Sequence, residues 1–285
     1  LVAAVPAFAR AEGAAAHRPM AVDDISRLRE PRDPQLSPDG RWIAYTVRST
    51  DAAKDVRETD IWMSSWDGTQ HVRLTSAEGD ERAPRFSPDG RFLAFLASRG
   101  SEDEKRKGAQ VWLLDRRGGE PVKLTDLPGG VADVQWSPDS TRLVLVVADP
   151  DPDDTPETKE GWKRATTPPI VITRYWFNDD DVGYRKALYT HLVLFDMTTR
   201  KAEPLTSGPY DDTDPSWSPD GRRIAFVSAR GPGDPDRGTN TDIFVVDARP
   251  GATPQRLTSW PGPDSGQPAW SPDSASIAYL QGDEP

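Results

Sequence analysis

Four acidic side chains have the spacing of a calcium-binding loop. Asp149, Asp151, Asp153 and Glu160 fall at the first, third, fifth and twelfth positions of that pattern. The sixth position, where such a loop needs glycine for its sharp turn, is Asp154, and interspersed prolines remove backbone donors. The stretch is therefore interpreted as a solvated acidic loop rather than a cation site.

The other residues that could do chemistry do not combine into a catalytic set. The three histidines, His17, His71 and His191, lie far apart and share no ligand spacing, so no metal site is predicted. The nucleophile motif Gly-x-Ser-x-Gly does not occur, and the nearest stretch, residues 262–266, has its serine one place too late. A phosphate-cradling glycine loop is also missing. We predict no catalytic residue and no cofactor in this chain.

The amino-acid composition limits the kinds of molecule that this chain is expected to bind. A net charge of −11 argues against nucleic acid, whose binding needs clustered lysine and arginine. No apolar run approaches the roughly 18 residues that a membrane-spanning helix needs. Cysteine is absent, which excludes disulfides and thiolate metal sites. The 28 prolines and 22 glycines are typical of a chain with many short strands and turns.

The first residues have the character of the end of a secretory signal peptide. Leu1 to Ala11 are apolar and rich in alanine, and Ala7-Phe8-Ala9 has the small-x-small pattern of a cleavage site. The alternative is a disordered, alanine-rich tail. We interpret residues 1–20 as a signal-peptide remnant and linker, and we expect an exported protein, periplasmic or secreted.

A recurring turn organises the rest of the chain. Ser-Pro-Asp-Gly starts at Ser37, Ser87 and Ser218, and variants that end in serine start at Ser137 and Ser271. The intervals between these serines are 50, 50, 81 and 53 residues. Proline, aspartate and glycine suit successive positions of a tight turn, and each copy lies between alternating apolar runs. Each copy therefore predicts a strand, a turn and a second strand.

A second recurring pair completes a four-stranded unit. An apolar strand, such as Val111-Trp112-Leu113-Leu114, is followed 14 or 15 residues after its start by Leu-Thr, as at Leu124-Thr125. Four strands per repeat of this length indicate the blades of an all-β β-propeller. We predict four complete four-stranded antiparallel blades plus the start of a fifth, an incomplete ring. The predicted propeller spans 21–285, with blades near 34–75, 84–125, 134–206, 215–258 and a truncated 268–285.

The third repeat is longer because it carries an insertion in one hairpin, over residues 148–190. The first half is acidic and rich in proline. The second half, from Pro168 to Phe177 and on to Tyr184, is dense in aromatic and β-branched residues and is expected to be ordered.

Two stretches resemble the prolyl-oligopeptidase family of serine peptidases. Residues 215–226, around Trp217-Ser218-Pro219-Asp220-Gly221, resemble its propeller blades but also those of TolB. The insertion, with Pro168-Pro169, Arg174, Gly183-Tyr184 and the His191-Leu192 strand, is similar to a segment of the acylaminoacyl-peptidase and dipeptidyl-peptidase branches. The resemblance covers residues 21–285. It implies an N-terminal propeller followed by an α/β-hydrolase domain with Ser, Asp and His, which is not expected within this chain.

The resemblance gives two hypotheses for function. In the first, the chain is the substrate-gating propeller portion of an exported serine peptidase that cleaves short peptides, with the hydrolase domain and peptides as partners. No Tyr-Glu-Glu stretch occurs, which favours the acylaminoacyl-like or dipeptidyl-peptidase-5-like branches. Arg174, Tyr175, Trp176 and Tyr184 would face the cleft, the arginine pairing with a peptide carboxylate. Alternatively, these residues only pack the hairpin onto its own blade. The second hypothesis is a non-enzymatic, TolB-like propeller that scaffolds an envelope complex.

Overall fold

The structure is a computed structural model, and it describes residues 18–52, 54–151, 169–180, 183–231, 235–238 and 240–282. The predicted signal-peptide remnant falls largely outside these residues, as does most of the acidic half of the insertion. No helix in the described part of the chain is long and apolar enough to cross a membrane.

The described residues form four antiparallel sheets of four strands each, followed by a two-stranded hairpin. Blade 1 consists of β1 (Glu30–Leu36), β2 (Trp42–Asp51), β3 (Val56–Ser65) and β4 (His71–Arg73). Blade 2 consists of β5 (Glu81–Phe86), β6 (Phe92–Ala97), β7 (Gln110–Asp115) and β8 (Val122–Lys123). This is the predicted blade architecture, with the first strand of each sheet innermost.

The longer third blade carries the insertion between its second and third strands. Blade 3 consists of β9 (Val131–Trp136), β10 (Arg142–Ala148), β13 (Thr190–Asp196) and β14 (Ala202–Pro204). The insertion adds a small hairpin of β11 (Asn178–Asp179) and β12 (Gly183–Tyr184). Blade 4 consists of β15 (Asp212–Trp217), β16 (Arg223–Ser228), β17 (Asp242–Asp247) and β18 (Gln255–Arg256). The fifth unit is β19 (Asp264–Trp270) and β20 (Ile277–Gln281).

Among the described residues, three short helical segments lie outside the sheets. They are a 3-10 helix at Val22–Arg27, helix α1 at Glu102–Arg106 and a 3-10 helix at Pro235–Arg237. The first lies between Met20 and Glu30, just before β1. The third lies in the hairpin between β16 and β17 and helps to build the site described below.

Each Ser-Pro-Asp turn contains the same pattern of hydrogen bonds. In the first copy, the Ser37 hydroxyl donates to Asp39 at 2.6 Å and accepts from the Trp42 amide at 2.9 Å. The Asp39 carboxylate also accepts from the Arg41 amide, and Gly40 has a φ of 68°, where glycine carries no steric cost. Hydrogen bonding to Ser37 lowers the pKa of Asp39, so the carboxylate stays charged and holds the turn.

The two turns that end in serine also join neighbouring blades. The Ser140 hydroxyl accepts from the amide of Asp89 in the blade 2 turn at 3.0 Å. The Ser274 hydroxyl accepts from the amide of Asp220 in the blade 4 turn at 3.1 Å. Serine at the last position of these two turns therefore supplies a contact between blades that glycine cannot make. Its backbone must adopt a positive φ there, which is unfavourable for a residue with a side chain.

The inner strands begin three or four residues before the predicted blade limits. The cause is a register shift in β1, β5 and β15, close to Asp33, Ala83 and Asp214. These three residues have φ angles of 49°, 53° and 51°. A bulge inserts one unpaired residue, and it breaks the two-residue apolar alternation by which a strand is recognised in a sequence.

The core lies between blades rather than within them. In β10, Leu143 and Leu145 pack with blade 2 residues, whereas Val144 and Val146 pack with blade 4 residues. Successive side chains of a strand point to opposite faces, so a strand buried on both faces must be apolar throughout. A third cluster, which includes Ile61 and Phe95, joins blades 1 and 2.

The tryptophans before the Ser-Pro-Asp turns add polar contacts to this packing. The Trp136 indole donates to the carbonyl of Arg85 in blade 2 at 3.1 Å. The Trp270 indole donates to the carbonyl of Ser216 in blade 4 at 3.0 Å. The Trp217 indole nitrogen is buried and has no hydrogen-bond partner. These contacts place the aromatic side chains between blades, as the repeat pattern predicts.

The threonine of each Leu-Thr pair fastens the outer edge of a blade to its third strand. Its hydroxyl accepts from the amide of the residue that the sequence places at the start of that strand, at 2.9 Å in each case. The four pairs are Thr75 with Ile61, Thr125 with Val111, Thr206 with Leu192 and Thr258 with Ile243.

Candidate functional site

The candidate site lies on the face opposite the Ser-Pro-Asp turns. Because the strands are antiparallel, each inner strand begins on this face and each hairpin between second and third strands opens on it. The insertion leaves β10 after Ala148 and returns at Thr190, and the neighbouring hairpin of blade 4 runs between Ser228 and Asp242. The site is therefore built from two adjacent hairpins that are about 60 residues apart in sequence.

A buried ion pair joins the two hairpins. Arg174 of the insertion donates to Asp236 of the blade 4 hairpin, at 2.9 Å through Nε and also through Nη2. Both side chains are only 6% exposed. This hydrogen bond raises the pKa of Arg174 and lowers that of Asp236, so both groups remain charged. The guanidinium also stacks on the ring of Tyr189, 4.8 Å from its centroid.

This ion pair bears on the predicted role of Arg174. The carboxylate that the guanidinium holds in the structure belongs to Asp236, not to a ligand. Pairing with a peptide carboxylate would require the ion pair to open. The contact instead fixes the position of the insertion on blade 4, because a bidentate arginine–carboxylate pair is geometrically specific.

The predicted aromatic residues lie on the same insertion as Arg174 and remain accessible. Trp176 is 54% exposed, packs under Arg185 at 4.6 Å and donates from its indole to the Asn178 carbonyl. Tyr175 is 64% exposed and packs under Arg237 at 4.6 Å. Tyr184 is 55% exposed. The three rings are therefore available to a ligand or partner, and their substrate-facing role stays a prediction.

A cavity of about 240 Å³ lies beneath the insertion. Its lining brings together residues from both hairpins and from the start of blade 4, among them Arg174, Trp176, Arg185, Tyr210, Ser228 and Asn240. The hydroxyl of Ser228 and the side-chain oxygen of Asn240 are buried and have no hydrogen-bond partner. Tyr175 and Tyr184 are not part of the lining.

A cluster of ionisable residues lies at the base of the insertion, at the junction of blades 3 and 4. His191 lies 3.5 Å from Asp149 and 3.6 Å from Asp212, and Arg230 lies 2.6 Å from Asp212. Asp212 is fully buried. Burial acts to raise its pKa, but His191 and Arg230 outweigh burial, and the pKa is lowered. The carboxylate is therefore held charged inside the junction.

Sequence reasoning did not find Asp236, Ser228, Asn240 or the Asp212–Arg230 pair. The first three depend on how the blade 4 hairpin folds against the insertion, which no local pattern shows. The sequence does contain an indication of the Asp212–Arg230 pair. Its acid and arginine are separated by 18 residues, and the same spacing recurs at Glu81 and Arg99 in blade 2.

A family model and solved structures relate this architecture to known proteins. The model of the dipeptidyl peptidase IV N-terminal region matches residues 173–231. No curated protein sequence matches the chain. The acylaminoacyl peptidase of Pyrococcus horikoshii aligns over 85% of this chain and 34% of its own, with a TM-score of 0.58 and 16% identity.

Two further structures share the fold. An acylaminoacyl peptidase in complex with Z-Gly-Gly-Phe-chloromethyl ketone aligns over 82% of this chain and 33% of its own, with a TM-score of 0.59 and 17% identity. TolB from Acinetobacter baumannii aligns over 90% of this chain and 55% of its own, with a TM-score of 0.54 and 17% identity. The chain thus spans about a third of the length of these two acylaminoacyl peptidases.

Fold and comparisons together define a β-propeller of the class found in peptidase-family proteins and in TolB. The predicted resemblance to peptidase propellers is confirmed by the dipeptidyl peptidase IV match over residues 173–231. The structural likeness, at these identities, establishes the propeller fold.

Proposed function

We propose that this chain is the substrate-gating propeller portion of an exported serine peptidase that hydrolyses short peptides. One observation carries the proposal: the dipeptidyl peptidase IV match falls on residues 173–231, which supply most of the cavity lining and the whole His191–Asp212–Arg230 junction. The peptidase resemblance and the candidate site thus coincide on one part of the chain.

The position of the insertion supports the proposed gating role. It projects from the face at which the inner strands begin, and the Arg174–Asp236 pair fixes it to the next blade. Tyr175, Trp176 and Tyr184 would form an apolar wall that a short peptide passes and a folded protein does not. Arg174 would hold the wall in place rather than bind the peptide carboxylate.

The chemical step belongs to the α/β-hydrolase domain that the resemblance implies. There a serine, activated by a histidine and an aspartate, would attack the peptide carbonyl, and an oxyanion hole would stabilise the tetrahedral intermediate. The propeller's contribution is selection and orientation of the peptide before that step.

A fluorophosphonate probe tests this proposal on the natural full-length gene product. We expect labelling of one serine, and we expect heat denaturation before labelling to abolish it, because only an activated serine reacts. An active preparation that hydrolyses peptides without labelling would contradict the proposal. So would a full-length product without a Gly-x-Ser-x-Gly elbow beyond the propeller.

A TolB-like scaffold is the second candidate. It is favoured by the larger share of TolB that this chain covers, 55% compared with 34% of the Pyrococcus horikoshii peptidase. In that case the natural product would not label, and it would co-purify with envelope proteins instead.

A further inference from the structure

Two buried polar atoms of residues that line the cavity beneath the insertion have no hydrogen-bond partner among the described residues. Ser228 ends β16, is 1% exposed, and its hydroxyl makes no hydrogen bond. Asn240 lies just before β17, and its side-chain oxygen is buried without a donor. Folded proteins rarely leave such groups unpaired, since desolvation without a hydrogen bond is unfavourable. Both residues contribute to the lining of the same cavity.

The charged side chains of the lining form hydrogen bonds with other protein groups, with the exception of Arg185. Arg174 is paired with Asp236. Asp211 accepts from the amide of Thr190 at 2.9 Å and from its hydroxyl at 3.1 Å. Arg185 packs on Trp176 and its charge helps to lower the pKa of Asp236, but within the described residues its guanidinium lies in no ion pair at contact distance. Its guanidinium therefore remains a donor on the cavity wall.

We propose that this cavity binds one amide group of a peptide. The oxygen of a primary amide would accept from Arg185, and its two N–H groups would donate to the side-chain oxygen of Asn240 and to the hydroxyl oxygen of Ser228. An amide is a neutral group that both accepts and donates hydrogen bonds, which fits a lining with a donor at Arg185 and acceptors at Asn240 and Ser228. Its peptide identity rests on the function proposed above.

The size of the cavity sets how much of a peptide enters it. Pockets for drug-sized ligands measure about 300 to 1,000 Å³. The present cavity, at about 240 Å³, is smaller. It accommodates a single residue or a side-chain amide, with the ring of Tyr210 as an apolar wall, while the rest of the peptide lies along the exposed rings of the insertion.

Calorimetric titration of this 285-residue chain with two probes tests the proposal. The probes are N-acetyl-alanyl-alanine amide and the same dipeptide with a free carboxylate. We expect saturable binding of the amide and binding of the acid that is weaker by about tenfold, because a second carboxylate must compete with Asp211 and Asp236. No saturation with the amide, or tighter binding of the acid, would overturn the proposal.

Two substitutions separate ligand binding from structure. Ser228→Ala should weaken amide binding by about tenfold while leaving the melting temperature unchanged or higher, because it removes an unpaired buried hydroxyl. Arg185→Gln should weaken binding similarly, and Arg185→Lys serves if the first variant is unstable. Arg91→Gln is the control away from the cavity: Arg91 also packs on an aromatic ring, that of Phe92 at 4.5 Å, and it pairs with Asp115 on blade 2.

Each outcome decides the proposal. Amide affinity unchanged in Ser228→Ala and Arg185→Gln, or an ordered water alone between Ser228 and Asn240 in crystals soaked with the amide, would overturn it. Equal loss in Arg91→Gln would also do so. The fluorophosphonate result is independent, since a propeller without an attached peptidase can still bind an amide.

Discussion

Blades 2 and 4 contain the same acid–arginine pair at the start of the inner strand, yet the two pairs behave in opposite ways. Glu81 begins β5 and contacts Arg99, and Asp212 begins β15 and contacts Arg230. Both acids are almost wholly buried, at 1% and 0% exposed. Burial raises the pKa of Glu81, whereas the pKa of Asp212 is lowered.

The neighbours of each carboxylate explain the difference. Asp212 receives two hydrogen bonds from Arg230, at 3.0 and 2.6 Å, and lies beside His191. One oxygen of Glu81 has no hydrogen-bond partner, and Arg99 divides its contacts between Glu81 and the rings of Phe95 and Trp112. The surroundings of this position thus disfavour the charged form of the acid in blade 2 and favour it in blade 4. The charged junction is the one beneath the insertion.

The largest expected effect comes from removing the arginine. Arg230→Met should destabilise the protein by about 3 to 5 kcal/mol, because it leaves the Asp212 carboxylate buried without its main partner. Arg99→Met should cost about 1 kcal/mol, near the average for a substitution, because Glu81 can take up a proton. Urea unfolding at pH 7 measures both values. Equal losses would show that the two junctions do not differ.

Replacing each buried acid by its amide should change the free energy of unfolding, and this change should depend on pH with opposite signs at the two junctions. The raised pKa of Glu81 means that its contribution to stability is present at low pH and is lost as the pH rises through the folded-state pKa. Glu81→Gln should therefore be more stable than the parent at pH 7, and this advantage should vanish below about pH 4, the ordinary range of a glutamate pKa.

For Asp212 the sign reverses. Its lowered pKa means that its contribution is present above the ordinary aspartate pKa, about 3.9, and is lost as the pH falls through the folded-state value. Asp212→Asn should be less stable than the parent at pH 7, and the deficit should narrow below about pH 4. Unfolding free energies across this range test both statements, and parallel curves for the two variants would contradict them.

The smallest effect concerns the tryptophans that pack between blades. Trp136 and Trp217 are similarly buried, but only the Trp136 indole donates a hydrogen bond, to the Arg85 carbonyl. Replacing each by phenylalanine removes a similar volume. Trp136→Phe should therefore cost about 1 kcal/mol more than Trp217→Phe, the net value of one buried hydrogen bond. A larger loss at Trp217 would mean that its indole has a partner after all.

The sequence predicts the blades well because their signals are local. The Ser-Pro-Asp turn, the apolar runs and the Leu-Thr pair each lie within one repeat, and the structure places them in equivalent positions. The predicted limits are late by a few residues because the bulges near Asp33, Ala83 and Asp214 break the alternation. The candidate site is predicted less completely: Arg174 and Trp176 line the cavity, but the sequence does not indicate that Arg174 is held by Asp236.

What the sequence determines by itself is the repeating sheet, because turn chemistry and two-residue alternation act between residues close along the chain. The tertiary structure decides which charged groups meet. Arg174 and Asp236 are 62 residues apart, and only the stacking of blade 4 against blade 3 brings them together. The charge state of a buried carboxylate depends on such partners, so the difference between Glu81 and Asp212 arises only after folding.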